Sequence, residues 1–266
     1  MKAHVSRHAL HARQPLPDLI RGLAVLLMVA YHFSFDLDHY GLIHQSFNQD
    51  LRWLAFRALI VSLFMGTLGA SVVLAHPPGL PLRWPALWRR QLRLGMAAAA
   101  VSAGSALMFP ESWIWFGILH FAWVATWLAL PLRSVGWPLL VLAAVAALAG
   151  NGPASPTFDS PWLGWIGLMT HKPFTEDYVP LLPWFAAVLV GIWTGRQLAH
   201  ATSNGAVSRE GRLPTETGQT MPAINTWAIR FVAALRRLGR HSLLIYLLHQ
   251  PVMIGLFELR ARLLAQ

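Results

Sequence analysis

The chain has 266 residues, of which 55% are hydrophobic and only 12% are charged, and its mean hydropathy is +0.46. A soluble domain has roughly 25% charged residues, so this composition excludes an ordinary soluble protein, whose surface must face water. The chain has no cysteine, which excludes disulfides, thiolate metal sites and a cysteine nucleophile.

Apolar segments recur along the chain at nearly the length that a helix needs to cross a bilayer, about 20 residues. In chain order they are residues 19–38, 51–75, 92–109, 113–131, 135–150, 181–199 and 242–262. The sequence therefore predicts an all-α, polytopic transmembrane helix bundle with about seven spanning helices, in a range of roughly six to eight.

Basic residues gather in alternate loops of this predicted bundle. The formal net charge is +10, and arginines concentrate in the N-terminal arm, at 76–93, at Arg133 and at 196–240. The positive-inside rule places the N-terminus and these segments in the cytoplasm, and the loops 36–50 and 151–180 outside. This alternation favours a membrane protein, with the lipid bilayer as its partner, over a nucleic-acid-binding protein.

Composition also divides the chain into four predicted parts. Residues 1–17 form a basic cytoplasmic arm, and residues 18–199 form the bundle. Residues 200–226 are rich in Gly, Ser, Thr and Pro, which predicts a flexible cytoplasmic linker. Residues 227–266 combine an amphipathic helix, predicted to lie on the membrane surface, with the final spanning helix.

Four polar residues follow one stripe of the first predicted helix. Arg21 and His32 are eleven residues apart, so they differ by only about 20° around the axis, and Asp18 and Asp36 lie near the same line. His32 and Asp36 are spaced i, i+4, so the carboxylate is expected to orient the imidazole and raise its basicity. The alternative is that Asp18 and Arg21 are interface anchors and that His32 and Asp36 only cap the outer end.

Three of the further ionisable residues inside predicted spans, where a charge is costly, are candidate site residues. Arg57 is a candidate site residue or a snorkelling anchor, and His120 is a site residue or a hydrogen-bonded packing histidine. His249 precedes Pro251, so either a site or a packing kink explains it. No metal site is predicted.

The chain has several ordered motifs: Asp18-Leu19-Ile20-Arg21-Gly22 with His32-Phe33-Ser34-Phe35-Asp36, then Phe116-Gly117-Ile118-Leu119-His120, then Asp177-Tyr178-Val179-Pro180-Leu181, and Leu238-Gly239-Arg240-His241-Ser242 continuing through Tyr246 to His249-Gln250-Pro251. Together they resemble one family of bacterial membrane proteins, grouped with the heparan-α-glucosaminide N-acetyltransferase catalytic domain. The resemblance implies a multi-pass acyltransferase of the bacterial cytoplasmic (inner) membrane. It would use acyl-CoA, in the first place acetyl-CoA, to modify an extracytoplasmic acceptor such as a sugar.

The resemblance also assigns roles to residues. Arg21 and His32 match an Arg-x10-His signature of bacterial membrane O-acyltransferases, in which the histidine is taken as catalytic; the i, i+4 spacing makes Asp36 its predicted partner. Lysosomal relatives instead use a histidine about a dozen residues later, for which His44, or less well His39, is the counterpart, so His32 and His44 compete. Arg21 and Arg240 are the predicted acyl-CoA-binding residues, since a guanidinium suits phosphate.

The remaining candidates are substrate-binding or structural polar residues: Arg57, His120, Asp177 and His249. Two other function classes stay open on the sequence alone. One is a membrane scaffold or assembly subunit without catalysis, and the other is a small-molecule transporter. No pair of matched broken helices is visible, which counts against the transporter.

Overall fold

The computed structural model describes residues 14–210 and 226–265. Within these ranges the chain forms α-helices joined by loops, with no strand. The helices are α1 (Pro15–His39), α2 (Leu51–Ala75), α3 (Trp84–Met108), α4 (Ile118–Leu132), α5 (Pro138–Gly150), α6 (Leu181–Glu210), α7 (Thr226–Arg240) and α8 (Ser242–Leu264). The predicted all-α fold class is confirmed.

Among the described residues, four helices are long and apolar enough to cross a membrane: α1, α2, the Leu181–Thr202 part of α6, and α8. The apolar helices α4 and α5 are shorter, with 15 and 13 residues. Helix α3 has 25 residues but carries arginines in its first half. Each predicted span contains one of these helices, so a helical membrane bundle is confirmed, whereas the count of about seven spans stays a prediction.

The fourth predicted span, 113–131, is shorter than expected, because α4 begins only at Ile118. The backbone before it pairs with the segment that precedes α6. The Glu176 N–H donates to the Ser112 carbonyl at 2.9 Å, and the Val179 N–H donates to the Phe116 carbonyl at 3.2 Å. These bonds hold residues 113–117 in a non-helical conformation, so the prediction of helix there was wrong.

Two predicted segments lie partly or wholly outside the described residues. Most of the basic arm, residues 1–13, is outside them, and so are residues 211–225 of the predicted linker. The first part of that linker is helical, because α6 continues to Glu210. The domain boundaries therefore stay predictions.

Helices α2 and α6 pack against each other backbone to backbone. A Cβ at Gly69 would overlap the Val188 carbonyl, and a Cβ at Gly191 would overlap the Gly66 carbonyl. Glycine at these positions lets the two helices approach closely. The largest apolar core is built around this pair, with α4 and α5 packed onto it.

Helix α1 contacts α2, α7 and α8. Its contact with α7 is another close glycine crossing: a Cβ at Gly22 would overlap the Leu235 carbonyl, and one at Gly239 would overlap the Asp18 carbonyl. Helix α7 covers the predicted amphipathic segment and is fixed against the first turns of α1. Helix α8 follows it directly and runs beside α1, which brings the polar stripe of α1 against polar groups of α8.

Candidate active site

Two histidine rings meet between α8 and the C-terminal half of α1, which we name the outer half after the sidedness predicted from the basic loops. His32 on α1 and His249 on α8 have ring centroids 4.9 Å apart and an interplanar angle of 70°, an edge-to-face arrangement. Both residues are half-buried. The structure thus joins two candidate residues that are more than two hundred positions apart in the sequence.

The hydrogen bonds of these two rings determine which nitrogen carries the proton. His32 Nδ1 lies 3.0 Å from the Met28 carbonyl, and His249 Nδ1 lies 2.7 Å from the Tyr246 carbonyl. A carbonyl oxygen can only accept, so Nδ1 must be the donor in each ring. In the neutral rings both Nε2 atoms therefore have a lone pair. The His249 Nε2 is buried without a hydrogen-bond partner among the described residues.

Asp36 bonds to α8 instead of to His32. Its Oδ1 accepts a hydrogen bond from Gln250 Nε2 at 2.8 Å, and the residue is only 3% exposed. The predicted i, i+4 hydrogen bond between Asp36 and His32 is therefore wrong, because the Nδ1 of His32 bonds to a carbonyl of its own helix. Asp36 instead ties α1 to α8 one turn beyond the histidine pair.

Asp177 links α8 to the outer end of α4. Its Oδ2 accepts from the Ile118 N–H at 2.9 Å and from the Tyr246 hydroxyl at 3.1 Å. Burial raises the pKa of the Asp177 carboxyl, although these two donors and the nearby His120 oppose the shift. Because the Tyr246 carbonyl accepts from His249, this network reaches the histidine pair.

His120 has the bonding of a packing histidine. Its Nδ1 accepts from the Gly117 N–H at 3.3 Å, so Nε2 carries the proton and donates to the Ser102 hydroxyl at 3.1 Å. Both ring nitrogens are thus hydrogen-bonded. This distinguishes His120 from His249, whose Nε2 has no partner among the described residues.

Charged groups gather at the N-terminal end of α1, which we name the inner end. Arg21 Nη1 lies 3.2 Å from Asp18 Oδ1, and Arg21 Nη2 donates to the Ser71 hydroxyl at 2.8 Å. Arg240 Nε lies 3.6 Å from the other oxygen of Asp18. The structure therefore brings Arg21 and Arg240, the two predicted acyl-CoA-binding residues, to one buried carboxylate.

This inner end is positively charged and opens to a cleft. A cleft of about 260 Å³ is lined by Ala233, Arg236, Arg237, Arg240 and His241. The Arg236 Nε is buried without a hydrogen-bond partner among the described residues. Burial and the neighbouring arginines lower the pKa of His76, which caps α2 at this end. The local field therefore favours an anion.

Two predicted site residues lie away from the histidine pair. His44 is exposed in the loop between α1 and α2. Arg57 lies beside Tyr31 and donates to Asn48 at 3.4 Å, a loop contact on the outer side. Neither residue contacts His32 or His249 in the described structure.

Sequence reasoning missed the roles of Gln250 and Tyr246. Both belong to the last family motif, and Tyr246, His249 and Gln250 have the spacing that places them along one face of α8. This common face of α8 could have identified Tyr246 and Gln250 as candidates from the sequence. Their partners, Asp177 and Asp36, lie on other segments, so no local pattern could pair them.

A family model described as heparan-alpha-glucosaminide N-acetyltransferase, catalytic, matches residues 13–251. No curated protein and no solved structure matches the chain significantly. The matched region covers both ends of the α1 stripe, the Asp177 network and the histidine pair. With membrane-length apolar helices and a match over residues 13–251, the chain belongs to the heparan-alpha-glucosaminide N-acetyltransferase catalytic-domain family.

Proposed function

We propose that the chain moves an acyl group, in the first place acetyl, from cytoplasmic acyl-CoA to an extracytoplasmic acceptor in the bacterial cytoplasmic membrane. The observation that carries the proposal is the arrangement along α1. A pair of arginines lies at one end, and the His32–His249 pair lies eleven residues further along the same stripe. This separation is about 16 Å, which an extended pantetheine arm can bridge.

The inner end of α1 has cationic side chains suited to bind the phosphates of acyl-CoA. Arg21 and Arg240 keep part of their surface accessible, with side chains 21% and 50% exposed. Guanidinium groups bind phosphate through paired, charge-assisted hydrogen bonds. Asp18 holds both side chains in place, and the buried Arg236 Nε in the adjoining cleft offers a further donor.

His32 is the proposed base of the transfer. Its Nε2 lone pair takes the proton from the hydroxyl or amine of the acceptor as that atom attacks the thioester carbonyl carbon. The carbon–sulfur bond then breaks, CoA leaves as the thiolate, and the histidine returns the proton to it. A two-step route, in which His32 first carries the acyl group, uses the same lone pair.

The acceptor is proposed to be a sugar, because the family description names a glucosaminide and an N-acetyl transfer. It reaches His32 from the side of the 36–50 and 151–180 loops. The helix directions support this sidedness, since α1 and α8 run in the same direction while the arginines stay at the end where both begin. Positive charge at that end favours a cytoplasmic location.

Purified protein in proteoliposomes, loaded with acetyl-CoA and amino sugars, tests the function. We expect acetyl transfer, or slow acetyl-CoA hydrolysis without acceptor, which His32→Ala abolishes. Mass spectrometry of envelope glycans from cells with and without the protein then identifies the acceptor. Acetyl-CoA turnover that is unchanged by His32→Ala would remove His32 from the reaction. No turnover with any acceptor would favour a scaffold, and sugar flux without transfer would favour a transporter.

The orientation of the protein in the membrane can be tested separately by cysteine labelling. The chain has no cysteine, so each introduced cysteine is the single reactive thiol. Cysteine at Ser155 should react with an impermeant maleimide in intact cells, and cysteine at Asn204 should react only after lysis. The reverse pattern would overturn the topology and the direction of transfer.

A further inference from the structure

Helix α7 presents two exposed surfaces beyond its contact with α1. Trp227 and Phe231 are 75% and 60% exposed, and they form an apolar surface with the exposed Ala234. Arg230 and Arg237 are exposed as well, and residues 226–241 contain no acidic side chain. A charged surface beside an apolar one is typical of a helix at a membrane interface.

The order of these surfaces around α7 follows from the helix geometry. Leu235, which is 7% exposed, and Gly239 form the edge that packs on α1. Trp227 and Phe231 lie roughly a quarter turn away from that edge, and Arg230 and Arg237 lie about another quarter turn further on. When the apolar surface faces acyl chains, the two arginines therefore lie at the level of the headgroups.

We propose that α7 is a docking site for anionic phospholipid, with Arg230 and Arg237 on the headgroup phosphates and Trp227 and Phe231 among the acyl chains. The Arg230 guanidinium lies 5.8 Å from the Trp227 ring centroid, so the cation is already placed beside the apolar anchor. Anionic lipid is the occupant that matches the charge, since clustered arginines at a cytoplasmic surface attract acidic headgroups.

Docked lipid would stabilise the packing of α7 against the inner end of α1. Helix α7 cannot move along α1 without disturbing the glycine crossing of Gly22 and Gly239. It also carries Arg240, which contacts Asp18. The lipid site therefore acts on the same helix that positions the cytoplasmic arginines, but its test does not require acyl transfer.

A fluorophore on a single cysteine at Ala234 measures the lipid preference of the full-length protein directly. The protein is reconstituted in mixtures of phosphatidylcholine and phosphatidylglycerol, with brominated chains on one lipid or the other as quencher. We expect phosphatidylglycerol to be preferred next to α7 on the order of tenfold, from two arginine contacts. The same fluorophore at Leu107, which is 87% exposed on α3, should show no such preference.

Charge variants in the Ala234→Cys background show whether the arginines of α7 cause the lipid preference. Arg230→Gln with Arg237→Gln should bring the selectivity close to one, whereas Arg260→Gln with Arg262→Gln, which removes the same charge from α8, should leave it unchanged. Equal quenching by both lipids, or a preference that survives the α7 double variant, would overturn the proposal. Loss of the preference on addition of acetyl-CoA would also overturn it, because the arginines would then belong to the acyl donor.

Discussion

At its inner end α1 carries charged groups that pair with one another, whereas its outer half places the His32 ring against the His249 ring of α8, with each ring bonded to a backbone carbonyl. Asp18 receives both Arg21 and Arg240 at the inner end. In the outer half, His32 and His249 touch each other, and Asp36 bonds to the amide of Gln250. One helix therefore carries two chemically different sites.

The difference follows the cost of burying charge. An unpaired ion inside the bilayer costs several kcal/mol, so charged groups are kept where they are paired and partly reached by water. A base must instead keep a free lone pair, which an ion pair would occupy. The inner end thus suits binding of an anion, and the outer half suits proton transfer.

His32→Ala should have the largest effect, on kcat rather than on donor affinity. Loss of a general base costs on the order of a hundredfold to ten-thousandfold in rate. His32→Asn should behave alike, because an amide cannot take the proton. His39→Ala, at the exposed end of α1, is the matched control and should keep the parent rate. Acetyl transfer kinetics in proteoliposomes measure the change, and weaker acetyl-CoA binding with an intact kcat would reverse the assignment.

Arg21→Lys should weaken acetyl-CoA binding by about tenfold to a hundredfold, with kcat nearly unchanged. A hydrogen bond to a charged group is worth about 1.5–3 kcal/mol, and lysine lacks the planar fork that matches phosphate. Lysine still leaves a cation beside the buried Asp18, so the fold is preserved. Isothermal titration with acetyl-CoA checks the affinity, with Arg260→Lys on α8 as the control. An unchanged Kd would remove Arg21 from the donor site.

Asp36→Asn should cause a loss of about tenfold in kcat, because the carboxylate supports the histidine pair only through the α1–α8 contact. Asp36→Ala and Gln250→Ala should be non-additive, since each breaks the same 2.8 Å bond. A double-mutant cycle on the transfer rate measures this coupling. Fully additive losses in the transfer rate would show that the hydrogen bond between Asp36 and Gln250 does not couple the two residues.

Asp177→Asn should give the smallest effect, visible only in the pH dependence of thermal stability. Burial raises the Asp177 pKa in the folded protein, so its contribution to stability is greatest below the unfolded pKa and declines as pH rises through the folded pKa. The Tm of Asp177→Asn relative to the parent should therefore rise as the pH is raised above the ordinary carboxyl pKa of about 4. A difference that falls over this range would contradict the raised pKa.

Much of the fold and part of the site could be predicted from the sequence, because both depend on local pattern. Apolar length identified the helices, and the i, i+11 spacing placed Arg21 and His32 on one stripe. The start of α4 was missed because a backbone pairing with residues 176–179 overrides the apolar composition of residues 113–117. The pairing of Asp36 was also missed, since Gln250 comes from the far end of the chain.

The most direct test of the account compares His44→Ala with His32→Ala in one acetyl transfer assay on proteoliposomes. His44 is exposed in the outer loop, while His32 touches His249 between α1 and α8. We expect that His44→Ala keeps its rate within about twofold, as an exposed substitution does, and that His32→Ala is inactive while still binding acetyl-CoA. An inactive His44→Ala beside an active His32→Ala would move the chemistry to the loop and leave the α1 stripe a role in binding alone.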